Sequence, residues 1–402
     1  MARSETDILI AGGGIAGMTA ALTLGVAGFR VLLVSPEPPV TEADAAGSDL
    51  RSTAFLQPAR QLFEEIGLWD ALADSATPLN VLRVVDTVNW PPQIRDSREF
   101  LATDLGERSF GWNLMNWRVL QGLARVLAQE TRVELRFGTS FTSMVARDSG
   151  AIVRLSDGNS VAVKLVIGAD GRGSAVREAA GIGLRTTHYG QKTLAFVVGH
   201  PKPHANVSTE IYNQGGPFTL VPLPDLDGQP ASAVVWMNRG PRAEELAVME
   251  RTAFEARASE RSCYMLGPLH LKSERRLWPI ISQRAEQLTA PRVALMAEAA
   301  HVIPPIGAQG LNTSMGDLIL LRDLALVAGR DGLGQPKMLA EYDRRRGADI
   351  RRRVQAIDLF NRVTRSPNPQ VQMLRLAGMK AVHDLSGLRR AVMRAGMGRS
   401  PR

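Results

Sequence analysis

Three glycines near the N-terminus have the spacing of a phosphate-binding turn. Gly12, Gly14 and Gly17 follow a short apolar run and enter a helical pattern that starts with Ile15 and Ala16. In that setting the first glycine permits a tight turn, the second lets the backbone approach a pyrophosphate, and the third allows the helix to pack closely on the strand. N–H groups at the helix start complement phosphate charge. The spacing therefore predicts an adenine-dinucleotide site.

The acidic residue that normally closes the second strand of such a unit is absent. Ser35 stands at that position, and Glu37 follows two residues later. A carboxylate there accepts hydrogen bonds from the adenosine ribose, whereas a serine hydroxyl accepts them more weakly. We therefore expect dinucleotide binding with a lower selectivity for the ribose.

Two acidic residues, far apart in the sequence, follow buried-strand patterns. Asp170 comes after the apolar run 163–167, and Glu298 comes after the run 292–296. Because cofactors bind at the carboxyl ends of strands in doubly wound folds, both acids would face one extended polar ligand, and they suit the hydroxyls of a ribityl chain. The loop after Glu298 can bring successive N–H groups against a ligand before a helix begins near Asn312, and it contains Pro305, Gly307, Ala308, Gln309, Gly310, Leu311 and Asn312.

The apolar pattern assigns these motifs to a parallel sheet. Residues 7–11 and 30–34 are predicted strands around a helix over 15–27, which makes a βαβ unit. Residues 292–296 repeat the buried-strand pattern, and another helix is predicted over 116–129. Further strand patterns occur at 133–137, 143–147, 152–155 and 160–167.

Two stretches depart from this pattern and predict a second domain. Residues 80–110 are irregular and polar, and residues 188–288 contain alternating segments that favour an antiparallel sheet. We therefore expect an α/β fold. A discontinuous nucleotide-binding domain is predicted over 1–79, 113–187 and 289–335, an inserted β-rich domain over 80–112 and 188–288, and a helical basic tail over 336–402.

Positive charge is concentrated in the tail. The chain carries a formal net charge of +8, but residues 344–402 hold fourteen Arg and one Lys against three Asp, a net +12, which leaves −4 for the rest. Such a segment suits anionic lipid headgroups, or it forms a solvated helix face. No RNA- or DNA-binding motif accompanies it, so we expect no nucleic-acid partner.

The composition excludes several protein classes. A single cysteine, Cys263, excludes an internal disulfide framework and a cysteine-bound metal cluster, and no metal site is expected. No apolar run reaches the roughly 20 residues that span a bilayer, and the N-terminus lacks the pattern of a signal peptide. We therefore expect a cytoplasmic protein without a transmembrane segment.

Taken together and in this order, the motifs resemble those of the group A flavoprotein monooxygenases, the class of p-hydroxybenzoate hydroxylase. The resemblance rests on the three-glycine turn, the stretch 168–177 (GADGRGSAVR) and the stretch 298–312 (EAAHVIPPIGAQGLN), and it covers nearly the whole chain. It implies a Rossmann-like FAD-binding domain with an inserted sheet domain that binds substrate. Weaker stretches resemble the ubiquinone-biosynthesis hydroxylase branch, at 49–54, 189–191, 222–224, 234–236 and 278–280.

The resemblance also implies roles for individual residues. Gly12, Gly14 and Gly17 would hold the FAD pyrophosphate, and Ser35 would stand at the ribose. Asn116 and Glu298 would contact the ribityl chain, and Asp170 would bind the ribityl or pyrophosphate region. Arg51 would lie along the flavin, Pro305 would lie against the isoalloxazine edge, and Gly307 to Asn312 would supply N–H groups to the pyrimidine end of the ring. In place of the family's Gly-Asp and Gly-Gln-Gly this chain has Ala297-Glu298 and Ala308-Gln309-Gly310. Ala308 adds a Cβ where backbone and flavin approach closely, so flavin affinity and ring mobility are expected to change.

The chemistry implied by the resemblance is aromatic hydroxylation. Reduced flavin would react with O2 to form a C4a-hydroperoxide that transfers oxygen to a polyprenylated phenol in ubiquinone biosynthesis. Electrons would come from NAD(P)H or an external reductase. A base that ionises the phenol would help, and His188 and His301 are candidates whose alternative is a purely structural role.

The resemblance gives the basic tail a use. Leu374, Ala381, Leu385, Leu388 and Val392 have roughly helical spacing with cationic residues between them, as an interfacial helix on the inner membrane face would require. Other ubiquinone-biosynthesis proteins are candidate partners. Three alternatives stay open at this point: a monooxygenase for a small soluble aromatic, a flavin-binding subunit without turnover, and a tail that packs on the protein itself or on a partner subunit.

Overall fold

The computed structural model describes residues 6–213, 215–366 and 368–398. Its strands are β1 (Ile8–Ala11), β2 (Val31–Ser35), β3 (Ser52–Leu56), β4 (Thr77–Leu79), β5 (Val81–Val88), β6 (Gln93–Leu101), β7 (Gly111–Met115), β8 (Val133–Phe137), β9 (Phe141–Arg147), β10 (Gly150–Leu155), β11 (Ser160–Val163), β12 (Leu165–Gly168), β13 (Leu184–Gly199), β14 (Val207–Tyr212), β15 (Phe218–Leu226), β16 (Gln229–Arg239), β17 (His270–Leu271), β18 (Arg276–Ala285), β19 (Thr289–Ala290), β20 (Val293–Leu295) and β21 (His301–Val302).

The α-helices are α1 (Ile15–Val26), α2 (Gln57–Glu65), α3 (Asn116–Leu127), α4 (Ala175–Ala179), α5 (Gly240–Val248), α6 (Arg251–Arg261), α7 (Ala297–Ala300), α8 (Gln309–Gly332), α9 (Pro336–Thr364), α10 (Pro369–Asp384) and α11 (Ser386–Gly396). None of the described helices combines the length and apolar character that a membrane crossing requires.

A six-stranded sheet carries the glycine turn. Its order is β19-β20-β12-β1-β2-β8, and every neighbouring pair is parallel except β19 with β20. The central strand β1 is buried along its whole length, which is why its sequence is continuously apolar rather than alternating. Because β1, β12 and β20 are adjacent and parallel, the segments that follow their carboxyl ends meet at one edge of the sheet.

A nine-stranded sheet forms the second large unit. Its path is β21-β18-β13-β16-β15-β14-β5-β6, and β17 pairs with β13. One face holds an apolar core that includes Leu194, Phe218 and Trp236 and is covered by residues of α5 and α6 such as Leu246 and Phe254. The opposite face lines a cavity, which is described below.

The fold class predicted from the sequence is confirmed, with three local differences. Residues 80–110 are not irregular, because β5 and β6 form a long hairpin at the end of the nine-stranded sheet. Strand β5 also runs parallel to β14, so that sheet is not wholly antiparallel. The stretch 160–167 is divided at Lys164 between β11 in a three-stranded sheet and β12 in the six-stranded sheet.

Two helix predictions also change. Helix α8 begins at Gln309 rather than near Asn312, directly after Ala308 in a left-handed conformation. The apolar positions of the tail do not share one helix, because Leu385 has an extended conformation and separates α10 from α11. The predicted domain boundaries stay a prediction.

Candidate active site

The glycine turn is built around two close backbone approaches. Gly12 has φ +119°, and a Cβ there would lie 2.2 Å from the carbonyl oxygen of Ala169. A Cβ on Gly17 would lie 1.9 Å from the carbonyl oxygen of Gly12, so only glycine lets α1 pack against the turn. A Cβ on Gly14 would meet nothing within 4 Å. The start of α1 is therefore open to a ligand, and no acidic side chain lies in its first turn.

A cavity of about 1140 Å³ extends from this turn across the molecule. It passes along the segment 49–56, lies between the nine-stranded sheet and the loop 301–311, and reaches α10 and α11. The cavity thus connects the phosphate-type turn to the inner face of the second sheet.

One wall of the cavity is a hydrogen-bonded cluster around Asp49. Arg51 donates from Nε and Nη2 to the two carboxylate oxygens of Asp49, at 2.7 Å each, and Asn116 Nδ2 donates to Oδ2 at 2.8 Å. Burial raises the pKa of Asp49, but the two donors outweigh burial and hold it below its ordinary value. Arg51 also lies over the ring of Trp278, 5.0 Å from its centroid. Asp49 therefore fixes both polar groups that face the cavity.

The loop after β20 contains three residues with left-handed backbone conformations. Ala297 has φ 53°, Gly307 has φ 60° and Ala308 has φ 57°. The left-handed region is costly for residues with a Cβ and favours glycine. Ala297 and Ala308 are the two positions where the resembling family has glycine, so both departures place a Cβ where the backbone favours none.

A buried carboxylate holds this loop in place. Asp317, on α8, accepts from His301 Nε2 at 2.6 Å and from the backbone N–H of Ala297 at 3.1 Å. Its other oxygen accepts from Arg346 Nε and Nη2 at 2.9 and 2.7 Å. Burial raises the pKa of Asp317, but His301 and Arg346 outweigh burial and the net pKa is lowered. The carboxylate therefore links the loop to α8 and α9.

Two amide side chains in the first turn of α8 connect the loop to other segments by hydrogen bonds. Asn312 accepts from the backbone N–H of Leu56 at 2.8 Å and donates to Ala54 and Ala308, which ties the loop to β3. Gln309 accepts from Arg353 at 2.9 Å and donates to the carbonyl oxygen of Gly396 at 2.9 Å. The end of α11 is thus joined to the loop.

The structure brings most of the predicted site residues together around the cavity. Those that line it are Gly14, Ile15, Ala16, Arg51, Asn116, Glu298, His301, Pro305, Gly307, Ala308, Gln309, Gly310 and Leu311. Those that do not are Gly12, Gly17, Ser35, Asp170, Asn312 and His188. Of the two histidine candidates, His188 is exposed on β13, and His301 has one ring nitrogen bound to Asp317.

Three predicted acidic or hydroxyl contacts already have protein partners. The Asp170 carboxylate accepts from Ser174 Oγ at 2.5 Å and from the backbone N–H of Val176 at 3.1 Å, so it caps α4. The hydroxyl of Ser35 donates to the carbonyl oxygen of Glu37 at 2.8 Å and keeps lone pairs that can accept. Glu298 is half-exposed and accepts from Arg172 Nε at 3.2 Å. A cofactor role for these residues stays a prediction.

Several residues of the site were missed by the sequence reasoning. Asp49 and Trp278 lie in the stretches 49–54 and 278–280, which carry the weaker resemblance. That resemblance was the sequence signal that could have identified both as site residues. Asp317 had no signal, because an acid within the helical pattern of α8 is indistinguishable from a surface residue. Arg346 is equally hidden among the other tail arginines.

Comparison with known proteins gives the family. The family model described as an FAD-binding domain matches residues 5–356. The chain belongs to the FAD-binding domain family. It is 32% identical to a ubiquinone hydroxylase, UbiL, of Rhodospirillum rubrum over 396 residues, which cover 98% of this chain and 89% of that protein. It is 28% identical to 3-demethoxyubiquinol 3-hydroxylase of Escherichia coli over 404 residues, 99% of this chain and 100% of that protein.

Solved structures share the fold. The crystal structure of p-nitrophenol 4-monooxygenase PnpA from Pseudomonas putida has a TM-score of 0.79 at 18% identity, with 100% of both chains covered. PqsL from Pseudomonas aeruginosa has a TM-score of 0.74 at 24% identity, with 93% of this chain and 99% of that chain covered. The predicted membership in the group A flavoprotein monooxygenases, and FAD as the cofactor, are confirmed, and this family member is an FAD-dependent monooxygenase.

The residues present fit FAD. The open space at Gly14, together with the free start of α1, forms a cradle that a Cβ would partly fill. From there the cavity runs past Arg51 and Asn116 to the loop of Pro305. A dinucleotide with an extended ribityl linker suits a site of this length.

The backbone conformation of Ala308 generates one prediction. Replacing Ala308 by Gly removes a left-handed alanine, worth about 1–2 kcal/mol, against a glycine entropy cost of about 0.5–1 kcal/mol. We expect Ala308→Gly to raise the free energy of unfolding by up to about 1.5 kcal/mol and to lower the Kd for FAD, as measured by denaturant unfolding and titration of apoprotein. Ala391→Gly, on exposed α11, should instead lower stability by about 1 kcal/mol. Equal destabilisation by both changes would contradict the assignment of strain to Ala308.

The buried carboxylate generates a second prediction. Asp317→Asn leaves Arg346 without its buried charge partner and changes the acceptor of His301, and we expect a loss of about 3–5 kcal/mol at pH 7. Since the pKa of Asp317 is lowered on folding, its contribution is complete above about pH 4 and is lost as the pH falls further. The stability difference between the two proteins, measured by urea unfolding, should therefore shrink in acid. The control Asp323→Asn, on the same helix but half-exposed, should change stability by less than about 1 kcal/mol.

Proposed function

We propose that this protein hydroxylates the aromatic ring of a polyprenylated phenol in ubiquinone biosynthesis, with FAD and O2. The observation that carries the proposal is the continuity of the cavity, which joins the cofactor residues to an apolar space beneath the C-terminal helices. The sequence relatives named as ubiquinone hydroxylases support the same substrate class. FAD, when bound, supplies the oxygen chemistry, and the protein supplies binding, orientation and exclusion of water.

The cavity has room for more than a small aromatic ring. Beyond the cofactor loop it is lined by Leu374, Gly378, Met379, Val382, Val392, Met393 and Met397 of α10, α11 and the residue after it. Its volume of about 1140 Å³ exceeds the roughly 300–1,000 Å³ of pockets for drug-sized ligands. An apolar extension of this kind is what an isoprenoid chain would occupy, whereas a small soluble aromatic would leave it unfilled.

We assign individual roles to residues that line the cavity. Gly14 and the start of α1 would hold the pyrophosphate, and Asn116 would contact the ribityl chain. Arg51 would lie along the flavin, held by Asp49. The loop around Pro305 would lie against the ring. These assignments are supported by the lining of the cavity and by the hydrogen bonds that fix Arg51 and Asn116.

We also propose that the C-terminal helices bind to a membrane surface. Leu374 and Leu385 are 67% and 59% exposed, and Leu388 and Val392 are 41% and 45% exposed. Exposed cations such as Arg390 accompany them. Apolar and cationic groups together suit an interface with anionic lipid. The same helices cover the apolar end of the cavity, so docking there would bring a membrane-held substrate to the site.

Turnover tests the proposed function. The FAD-loaded protein, reduced by NAD(P)H or by an external reductase, should insert one atom of isotopically labelled O2 into a prenylphenol. A single buried isoprene unit has enough apolar carbon to raise kcat/KM more than about tenfold over the unprenylated phenol. Equal turnover of both phenols would favour a monooxygenase for soluble aromatics. FAD binding without hydroxylation of either would favour a flavin-binding subunit.

Flotation with vesicles tests the membrane role. We expect the double variant Leu385→Asp/Leu388→Asp, at two exposed residues that do not line the cavity, to lose most of its binding to vesicles that contain phosphatidylglycerol, since two charges replace apolar contacts and repel the anionic surface. The control Val248→Asp adds a charge at a residue that is 84% exposed on α5 and should bind like the unaltered protein. Undiminished flotation of the double variant would rule out this surface.

A further inference from the structure

One face of the nine-stranded sheet forms the floor of the cavity. Residues directly opposite one another across its strands all line the cavity, in the order Arg276, Ala195, Val235, Thr219, Glu210 and Val84. Their sequence neighbours Leu194, Val234 and Ile211 point to the other face and belong to the apolar core. The middle of the floor therefore consists of small side chains, of which Thr219 alone in this series is polar, and a carboxylate lies towards one end.

The carboxylate of Glu210 has few partners. Its single hydrogen-bond donor among the described residues is the hydroxyl of Tyr212, two residues further along β14. Among those residues no cation forms an ion pair with Glu210. Burial raises the pKa of Glu210, and the Tyr212 donor lowers it to a smaller extent. Burial first, and then Glu210, raises the pKa of Tyr212 well above its ordinary value, so the tyrosine stays a donor.

The charged groups around Glu210 have partners other than Glu210. They are Asp86 on β5, Arg95 and Arg98 on β6, Arg375 on α10, and Arg261 on the opposite face of the sheet. Arg95 and Arg375 both bind the carboxylate of Asp86, and Arg98 binds Asp96 and Asp384. Arg261 donates to backbone carbonyl oxygens. Glu210 thus keeps accepting capacity that the protein does not use.

The position of Glu210 suits the edge of a bound ring. Neighbouring strands lie about 4.8 Å apart, so Glu210 is about 5 Å across the sheet from Thr219 and about 10 Å from Val235. A ring on this floor would therefore have the carboxylate at its periphery. The loop of Pro305 borders the same cavity. Neither histidine offers an equivalent group, because His188 is outside the cavity and His301 is bound to Asp317.

We propose that Glu210 accepts the proton of the substrate's ring hydroxyl, with Tyr212 as a positioning residue that holds the carboxylate. This step rests on the proposed function, which supplies a phenolic substrate. The phenolic O–H bond breaks, the proton moves to a carboxylate oxygen of Glu210, and the electron pair stays on the phenolate oxygen, so nothing is oxidised or reduced. An ordinary phenol with a pKa near 10 is neutral at pH 7, and the phenolate ring is richer in electrons for oxygen transfer. Positioned bases typically contribute about 10²–10⁴-fold.

The test compares two variants with a matched control across pH. Glu210→Gln keeps the size of the side chain and removes the base, and we expect kcat for hydroxylation of a prenylphenol to fall at least about a hundredfold at pH 7. The deficit in kcat should shrink as the pH approaches the pKa of the free phenol, because the phenol then ionises in solvent without a base from the protein. Glu99→Gln changes a glutamate on β6, two strands away from β14, that pairs with Arg83 and does not line the cavity, and it should leave the profile unchanged.

Tyr212→Phe separates positioning from folding. It removes the donor that lowers the pKa of Glu210, so the acidic limb of the kcat profile should move to higher pH while the plateau largely remains. FAD content and the rate of flavin reduction report folding and should match the unaltered protein in all three variants. A Glu210→Gln profile that runs parallel to that of the unaltered protein at every pH would overturn the assignment.

The design distinguishes this role from the proposed function. If the unaltered protein hydroxylates no prenylphenol, the proposed function fails by that measurement alone. The proton acceptor is then judged by the absorbance of a bound prenylated nitrophenol, which reports its phenolate. A phenolate fraction that is higher with the unaltered protein than with Glu210→Gln supports the role, and an equal fraction rejects it.

Discussion

The candidate site depends on the buried carboxylate of Asp317. One side chain satisfies His301 and the backbone of Ala297 in the loop after β20, and also the guanidinium of Arg346 on α9. A lone buried charge is costly, so the carboxylate and its two partners persist only together. The loop that borders the cofactor cavity therefore cannot be placed without the first long helix of the C-terminal region. This coupling ties α9 to the loop that borders the cavity.

The alanines at 297 and 308 show how such coupling offsets local strain. Both have left-handed backbone conformations that glycine adopts more easily. At Ala297 the N–H donates to Asp317, and at Ala308 the carbonyl oxygen accepts from Asn312. Fixed hydrogen bonds on both strained residues keep the loop in one conformation. The departures from the family's glycines are thus compatible with an ordered cofactor loop.

Local sequence patterns could predict the parts of the fold whose causes are local. The glycine turn and the buried strands β1, β2 and β20 were predictable, because close approach requires glycine and a strand covered on both faces is continuously apolar. The hairpin of β5 and β6 was not, because β14, with which β5 pairs, and Arg375 of α10, which binds Asp86, lie far away in sequence. Asp317 and Glu210 were missed for the same reason. A buried acid within an ordinary helix or strand pattern carries no local sign of its burial.

The polar face of β14 lines a cavity and does not face bulk solvent. Ser208, Glu210 and Tyr212 face one side while Thr209 and Ile211 are buried on the other, a pattern that would ordinarily indicate a solvent-facing surface. Here α10 covers that face and turns it into the floor of a cavity. The ion pair between Arg375 of α10 and Asp86 of β5 anchors this cover, so part of the tail's positive charge stabilises the fold instead of facing a partner. The arginines of the C-terminal region therefore fall into two groups. Buried ones form ion pairs within the fold, and exposed ones remain available to an anionic surface.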